Sequence, residues 1–167
     1  LRHIVFVLEM SALSLFIIAL ARPQSSSKNK EINVEGIDIV LAMDISSSML
    51  AADLKPDRLE ASKAVASDFV KGRPNDRMGL IVFSGETFTQ VPLTTDHGMM
   101  LNMLQDMKCG MLEDGTAIGD GLASAVSRLK DSEAISKVVI LLTDGDNNAG
   151  SIDPNTAAEM AKLFGIR

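Results

Sequence analysis

The chain has 167 residues, 46% of them hydrophobic, and a net charge of −6, enough for one domain with a proper core and too little for two. Six Phe are its only aromatics, with no Trp or Tyr, which argues against a base-stacking platform for single-stranded nucleic acid. Residues 1–30 hold Arg2, Arg22, Lys28 and Lys30 against Glu9, a net +3, so the remainder carries −9; an acidic domain of this kind repels nucleic acid and suits cations.

Ile4–Ala21 (IVFVLEMSALSLFIIALA) is an apolar segment between Arg2 and Arg22. As a helix it measures about 27 Å, just enough to cross a hydrocarbon core with little tilt. Three readings compete: a transmembrane helix occupying residues 1–22, which is preferred; a signal peptide cleaved after Ala19-Leu20-Ala21; and a helix of a soluble core. The start at Leu1 rather than Met suggests sequence missing upstream. Glu9 is costly inside a span unless it reaches the headgroups or meets a polar group on another helix. Residues 23–33 have linker chemistry within Arg22–Asn33 (RPQSSSKNKEIN), and the folded domain is expected over residues 34–167.

The domain is organised around Ile37–Ser48 (IDIVLAMDISSS). A short run apolar on both faces and ended by polar turn formers predicts a central strand of a parallel sheet. The loop after it offers one carboxylate and three hydroxyls, at the strand end where open α/β sheets bind ligands. Pro56–Lys71 then reads as a helix, with Pro56 in its first turn and Ala61/Ser62, Val65/Ala66 and Phe69/Val70 on its buried face. Met78–Ser84 is a second buried strand, and Thr87–Leu93 a shorter one that Pro92 confines to an edge or an end. Thr95-Asp96 caps a helix from His97 to Lys108, with Met100, Met103, Leu104 and Met107 on one face. Five Met lie between Met99 and Met111, read as flexible core filler before an adaptable partner surface. Cys109, the one cysteine, reads as a small buried hydrophobe, and His97 as a surface residue at a helix start.

Gly115-Thr116 leads into an amphipathic helix in which Ile118, Leu122, Val126 and Leu129 share a face. Val138–Thr143 (VVILLT) is another buried strand, ending in Asp144-Gly145-Asp146. Pro154–Leu163 is a last helix, stopped at Gly165. A βαβ order should hand that helix on to another strand, so the sequence reads as a fragment. The fold class is α/β: a doubly wound, mostly parallel, Rossmann-like sheet preceded by a transmembrane helix, with its last strand or strands missing.

Asp44-x-Ser46-x-Ser48 follows one buried strand, Thr116 lies in a loop leading into a helix, and Asp144 follows another buried strand. If the two strands are neighbours, both carboxylates emerge on one edge of the sheet. Left uncompensated they repel; a divalent cation resolves the conflict. Oxygen ligands without nearby His or Cys point to Mg²⁺, Mn²⁺ or Ca²⁺ rather than zinc, with Mg²⁺ first. Asp120 reads as a first-turn helix acid, Asp114 as a turn former, and Asp146 as either a support behind the ligands or a solvated residue.

At these positions the sequence resembles the von Willebrand factor A domain family, whose metal-ion-dependent adhesion site (MIDAS) combines an Asp-x-Ser-x-Ser loop, a Thr from a later loop and an Asp after a fourth strand. Asp44, Ser46, Ser48, Thr116 and Asp144 match it residue by residue. The runs Ala19-Leu20-Ala21-Arg22-Pro23-Gln24, VEGIDIVLAMDISSSM, RPNDRMGLIVFSGE, PLTTDH and EDGTAIGDGL are similar to bacterial aerotolerance-operon (Bat-type) membrane proteins, BatA-like in particular. That resemblance implies a periplasmic A domain anchored in the bacterial inner membrane through residues 4–21. It also implies Bat-type partners and a MoxR-type AAA+ ATPase. By Lys and Arg alone, Arg22, Lys28 and Lys30 outweigh Arg2 and would place the domain in the cytoplasm; the resemblance implies the other side.

Three functions are expected in order. The first is a binding module whose metal takes a Glu or Asp carboxylate from a partner protein. The second is a membrane-tethered assembly platform whose metal only stabilises loops. The third is an Asp-based phosphohydrolase, disfavoured because position 46 is Ser rather than Asp, no general base is evident, and no G-x-S-x-G or phosphate-binding glycine loop occurs. The chain is therefore expected not to be an enzyme, and no nucleic-acid partner is expected.

Overall fold

The structure is a computed structural model that describes Arg2–Leu20 and Gly36–Arg167. The expected linker at 23–33, Ala21 of the cleavage pattern and the domain start at Val34 lie outside the described residues. The chain divides into two units, Leu1–Asn33 and Val34–Arg167.

In the first unit, Arg2–Leu20 forms helix α1. Apolar side chains including Ile4, Phe6, Val7, Leu8, Leu13, Leu15, Phe16 and Leu20 are exposed. Ser11 Oγ donates to Leu8 O and Ser14 Oγ to Met10 O, both at 2.8 Å, so the helix satisfies its own hydroxyls. Among the described residues no helix is long and apolar enough to cross a membrane. The expected span over Ile4–Ala21 is therefore not found among the described residues, and Ala21 lies outside them.

The second unit is a sheet with helices on both faces. Its strands are β1 (Asp38–Asp44), β2 (Arg77–Phe83), β3 (Thr87–Thr94) and β4 (Lys137–Leu142). The helices are α2 (Arg58–Lys71), α3 (His97–Asp106), α4 (Ile118–Leu129) and α5 (Pro154–Leu163). The sheet order is β3-β2-β1-β4, with β1 parallel to both neighbours and β2 antiparallel to β3. All of β1 is buried, as a run apolar on both faces requires. Alternation along it splits the core. Ile39, Leu41 and Met43 join Met78, Leu80 and Val82 with residues of α2 and α3, whereas Val40 joins Ile81 with Ala125, Val126 and Leu129 of α4. Pro92 is exposed on the edge strand β3, the place expected for a residue that cannot donate to a ladder.

Four expectations change in detail. Helix α2 begins at Arg58, not Pro56, because the Asp57 carboxylate caps it by accepting from Glu60 N at 2.8 Å. Its buried face is Leu59, Lys63, Ala66 and Val70, while Val65 is exposed. Lys63 tolerates burial because its Nζ donates to Glu60 Oε1 at 2.6 Å and to Gln105 O at 3.2 Å. In α4 the buried face consists largely of small residues, Gly119, Gly121, Ala123 and Ala125, with Val126 and Leu129, and Ile118 and Leu122 are half-buried. Finally, β4 is half-buried rather than buried; beside it, among the described residues, Ile166 bridges Lys137 in parallel, Val139 N donates to Arg167 O at 2.8 Å and Arg167 N to Lys137 O at 3.0 Å. After α5 the described residues hold this isolated bridge at Ile166 and no further strand.

The methionines divide as well. Met100 and Met107 are fully buried, Met103 is half-buried, and Met99 and Met111 are exposed. His97, expected on the surface, is half-buried, and its Nε2 lies 3.0 Å from Asp76 O, tying the start of α3 to the turn before β2.

Candidate metal centre

Parallel pairing sets Met43 of β1 opposite Leu142 of β4, so the chain leaves both strands on the same rim of the sheet. Asp44 is the last residue of β1 and Asp144 the second after β4. The expectation that both carboxylates meet at one edge is met.

Asp44 is 0% exposed. Its Oδ1 accepts from Ser46 N at 2.8 Å and its Oδ2 from Thr143 Oγ1 at 2.7 Å. Both donors are neutral, and among the described residues no Lys, Arg or His pairs with it. The other end of β1 behaves differently: Asp38, equally buried, receives Arg77 Nε at 2.7 Å. Buried charges are paired or coordinate metals, and Asp44 lacks the pairing that Asp38 has.

From Asp44 the chain turns into a short 3-10 helix, Ser47–Leu50, with Ser46 as its N-cap. The Ser46 and Ser48 hydroxyls lie 2.9 Å apart, and Ser48 Oγ donates to Asp144 Oδ1 at 2.9 Å. Ser46, Ser48 and Asp144 thus form one hydrogen-bonded chain of oxygens, which the Ser46 backbone N–H ties to Asp44. Thr116 is 4% exposed and lines a cleft of about 340 Å³ together with Ser46, Ser47, Ser48, Asp114, Gly145, Asp146 and Asn148. Helix α4 is capped at Ala117 without a side-chain bond, so the Thr116 hydroxyl is not consumed by capping. Gly145 of the Asp144 loop lies beside Thr116, where even a Cβ would make only ordinary contact with Thr116 Oγ1, at 3.7 Å. The structure brings all five expected residues to one rim.

The donor set fits a hard cation. Among the described residues no group of three or more His, Cys, Asp or Glu suited to a metal occurs; the assembly is two carboxylates with hydroxyls, the oxygen-only chemistry of Mg²⁺, Mn²⁺ or Ca²⁺.

Several neighbours were not legible as parts of the centre. Arg58 donates through Nη1 to Asp144 Oδ2 and through Nε and Nη2 to both oxygens of Asp53, at 2.8 and 2.7 Å. Those carboxylates, Asp53 foremost, hold the guanidinium above its usual pKa, and Arg58 in turn holds the Asp53 carboxyl below the usual carboxylate range. Asp114, read as a turn former, accepts from Ser47 Oγ at 2.7 Å and Ser47 N at 3.1 Å, bonds that lower its pKa. Asn148 Oδ1 accepts from Thr116 N at 2.8 Å. The only advance signal for Asn148 was a run of turn formers after Asp144. Asp120 lies in the first turn of α4, as expected, but its carboxylate accepts from Ser151 N and Ile152 N and so anchors a loop. Asp146 lines the cleft. Cys109 is half-buried and its Sγ donates to Ser46 O at 3.3 Å, with burial foremost in pushing the thiol pKa up.

Comparisons with known proteins agree with this geometry. The family model described as von Willebrand factor type A domain matches residues 39–147. An uncharacterized protein of Borreliella burgdorferi is 37% identical over 93% of this chain and 46% of its own length, and the chain spans about half the length of the curated relatives it matches. An aerotolerance-related membrane protein from Bacteroides fragilis superposes with a TM-score of 0.74 at 36% identity, over 79% of this chain and 65% of the other. Proximal thread matrix protein 1 from the mussel byssus, solved with a zinc-occupied MIDAS motif, superposes with a TM-score of 0.68 at 27% identity, over 78% of this chain and 34% of the other.

Proposed function

Because the chain belongs to the von Willebrand factor type A domain family, whose members generally mediate protein–protein interactions, we propose that it is a metal-ion-dependent protein-binding module. Asp44, Ser46, Ser48, Thr116 and Asp144 would hold one divalent cation, and when bound that ion supplies a positive charge for a Glu or Asp carboxylate of a partner protein. The observation that carries this reading is the fully buried Asp44 with only neutral donors around it. Ser46 N and Thr143 fix that carboxylate, Ser48 orients Asp144, and Asp114 with Asn148 hold the loops that carry Ser47 and Thr116. Oxygen donors suit Mg²⁺, Mn²⁺ and Ca²⁺ alike, with Mg²⁺ expected first; the zinc in the mussel protein supports a divalent ion at a site of this kind. Since members of the family generally mediate protein–protein interactions, recognition rather than turnover is the reading.

The test is capture of proteins by the immobilised chain with Mg²⁺ present, then with chelator. Partners that elute with chelator and compete with a Glu-containing peptide support the module. Capture that survives chelator supports instead an assembly platform whose metal only stabilises loops. The resemblance makes Bat-type proteins and a MoxR-type ATPase the partners to probe first.

The likeness to an aerotolerance-related membrane protein and the apolar surface of α1 support attachment to a bacterial membrane through α1, for which the resemblance to Bat-type proteins makes the inner membrane and the periplasmic side the placement to test. Residues 1–167 are expected to stay with membranes after alkaline carbonate washing and residues 34–167 to be released. Release of both would remove α1 from this role, and a reporter fused after Arg167 that is active only outside the cytoplasm tests the side.

A further inference from the structure

Building on the metal-binding reading, we propose that Arg58 decides which divalent cation the centre prefers, by occupying one oxygen of Asp144 and leaving that carboxylate a single oxygen to offer. The two oxygens of Asp144 have different surroundings. Oδ1 accepts from the Ser48 hydroxyl at 2.9 Å, within the chain of oxygens that includes Ser46. Oδ2 accepts from Arg58 Nη1. The guanidinium is not a loose surface group: Asp53 grips it with both oxygens, at 2.8 and 2.7 Å, and Arg58 N donates to Ala51 O at 3.1 Å, fixing the start of α2 against the loop after Ser48. A two-point fork of this kind fixes orientation as well as charge. Asp144 is exposed as a residue, but its side chain is only 13% exposed, turned toward Ser48 and Arg58.

The consequence follows from how hard cations differ. Ca²⁺ takes six to eight oxygens in flexible geometry and often both oxygens of a carboxylate, whereas Mg²⁺ requires a compact octahedron. A cation held on Asp144 Oδ2 blocks two-oxygen binding by occupancy and by repelling a second positive charge on that side. Asp44 differs, because its oxygens carry only neutral donors. Arg58 is therefore a positioning residue that disfavours Ca²⁺ at this centre.

The test is calorimetric titration of the full chain with Mg²⁺ and with Ca²⁺, for wild type, Arg58→Met and Asp53→Asn. Arg58→Met keeps the apolar stem and frees Asp144; the Ca²⁺-to-Mg²⁺ affinity ratio is expected to rise about tenfold, the scale on which supporting contacts tune metal sites. Asp53→Asn loosens the fork and should move the ratio the same way by less. Arg58→Lys keeps a charge but loses the fork, and it serves should Arg58→Met fail to fold; a rise in the ratio is expected there too. Both affinities falling together at an unchanged ratio would mean that Arg58 only supports the fold, and would overturn this inference alone. Wild type binding neither ion would overturn the metal reading, and this inference with it.

Discussion

Replacing Asp44 or Asp144 with Asn is expected to weaken divalent-cation binding by more than about 100-fold, beyond what loss of a supporting contact costs at a metal site. The two substitutions act on different parts of one network. Asn at 44 keeps the size of a side chain that is 0% exposed, but its amide nitrogen must face either Ser46 N or the Thr143 hydroxyl, both now donors to the carboxylate. One buried donor then loses its acceptor, at about 1–3 kcal/mol, partly offset because an uncompensated buried charge disappears. Asn at 144 keeps an acceptor for Arg58 or Ser48, so it should fold nearly as well as wild type. Thermal unfolding separates the effects: Mn²⁺ at 100 times its dissociation constant should stabilise wild type by about 2.7 kcal/mol and neither variant measurably. Equal stabilisation of wild type and Asp144→Asn would remove Asp144 from the centre.

What could be read in advance depended on local pattern. Strand β1 was legible because a run apolar on both faces ends abruptly at Asp44, and a central parallel strand must be buried on both sides. The meeting of Asp44 and Asp144 followed from one topological assumption, that β1 and β4 are neighbours, and the sheet order confirms it. Helix α5 was legible to the residue, because Pro154 and Gly165 punctuate it. Arg58 was not, since its role is a contact with a residue 86 positions away, and nothing in the first turn of a helix announces a distant carboxylate. The half-burial of β4 was also hidden: periodicity reports how apolar a strand is, not whether a neighbour covers it.

Helix α4 failed for a different reason, which yields the second large effect. Hydrophobic periodicity weights large side chains, so it selected Ile118 and Leu122, yet packing selected by size and buried Gly119 and Gly121. By helix propensity alone, Gly119→Ala should stabilise α4 by about 1 kcal/mol. The structure requires the opposite. A Cβ at 119 would lie 1.8 Å from Ile152 O, 2.7 Å from Ile152 C and 3.0 Å from Asp153 C, and backbone atoms cannot swing aside as a side chain would. The opposing segment is pinned, because Asp120 accepts from Ser151 N and Ile152 N, Gly119 N donates to Asn147 Oδ1 at 3.3 Å, and Asp153 caps α5. Relief therefore means lifting α4 from the sheet or breaking the Asp120 anchor, and Gly119→Ala is expected to cost about 3 kcal/mol. Gly72→Ala is the control: its backbone is at φ −74° and ψ −4°, and its Cβ would meet nothing closer than 3.6 Å, so it should gain about 0.4–1 kcal/mol. Urea midpoints decide the matter, and a Gly119→Ala midpoint at or above wild type would refute the close approach. The damage should also reach the metal, because the displaced segment carries Asn148, which accepts from Thr116 N; loosening it frees the Thr116 loop, so Mn²⁺ affinity should fall in Gly119→Ala and stay unchanged in Gly72→Ala.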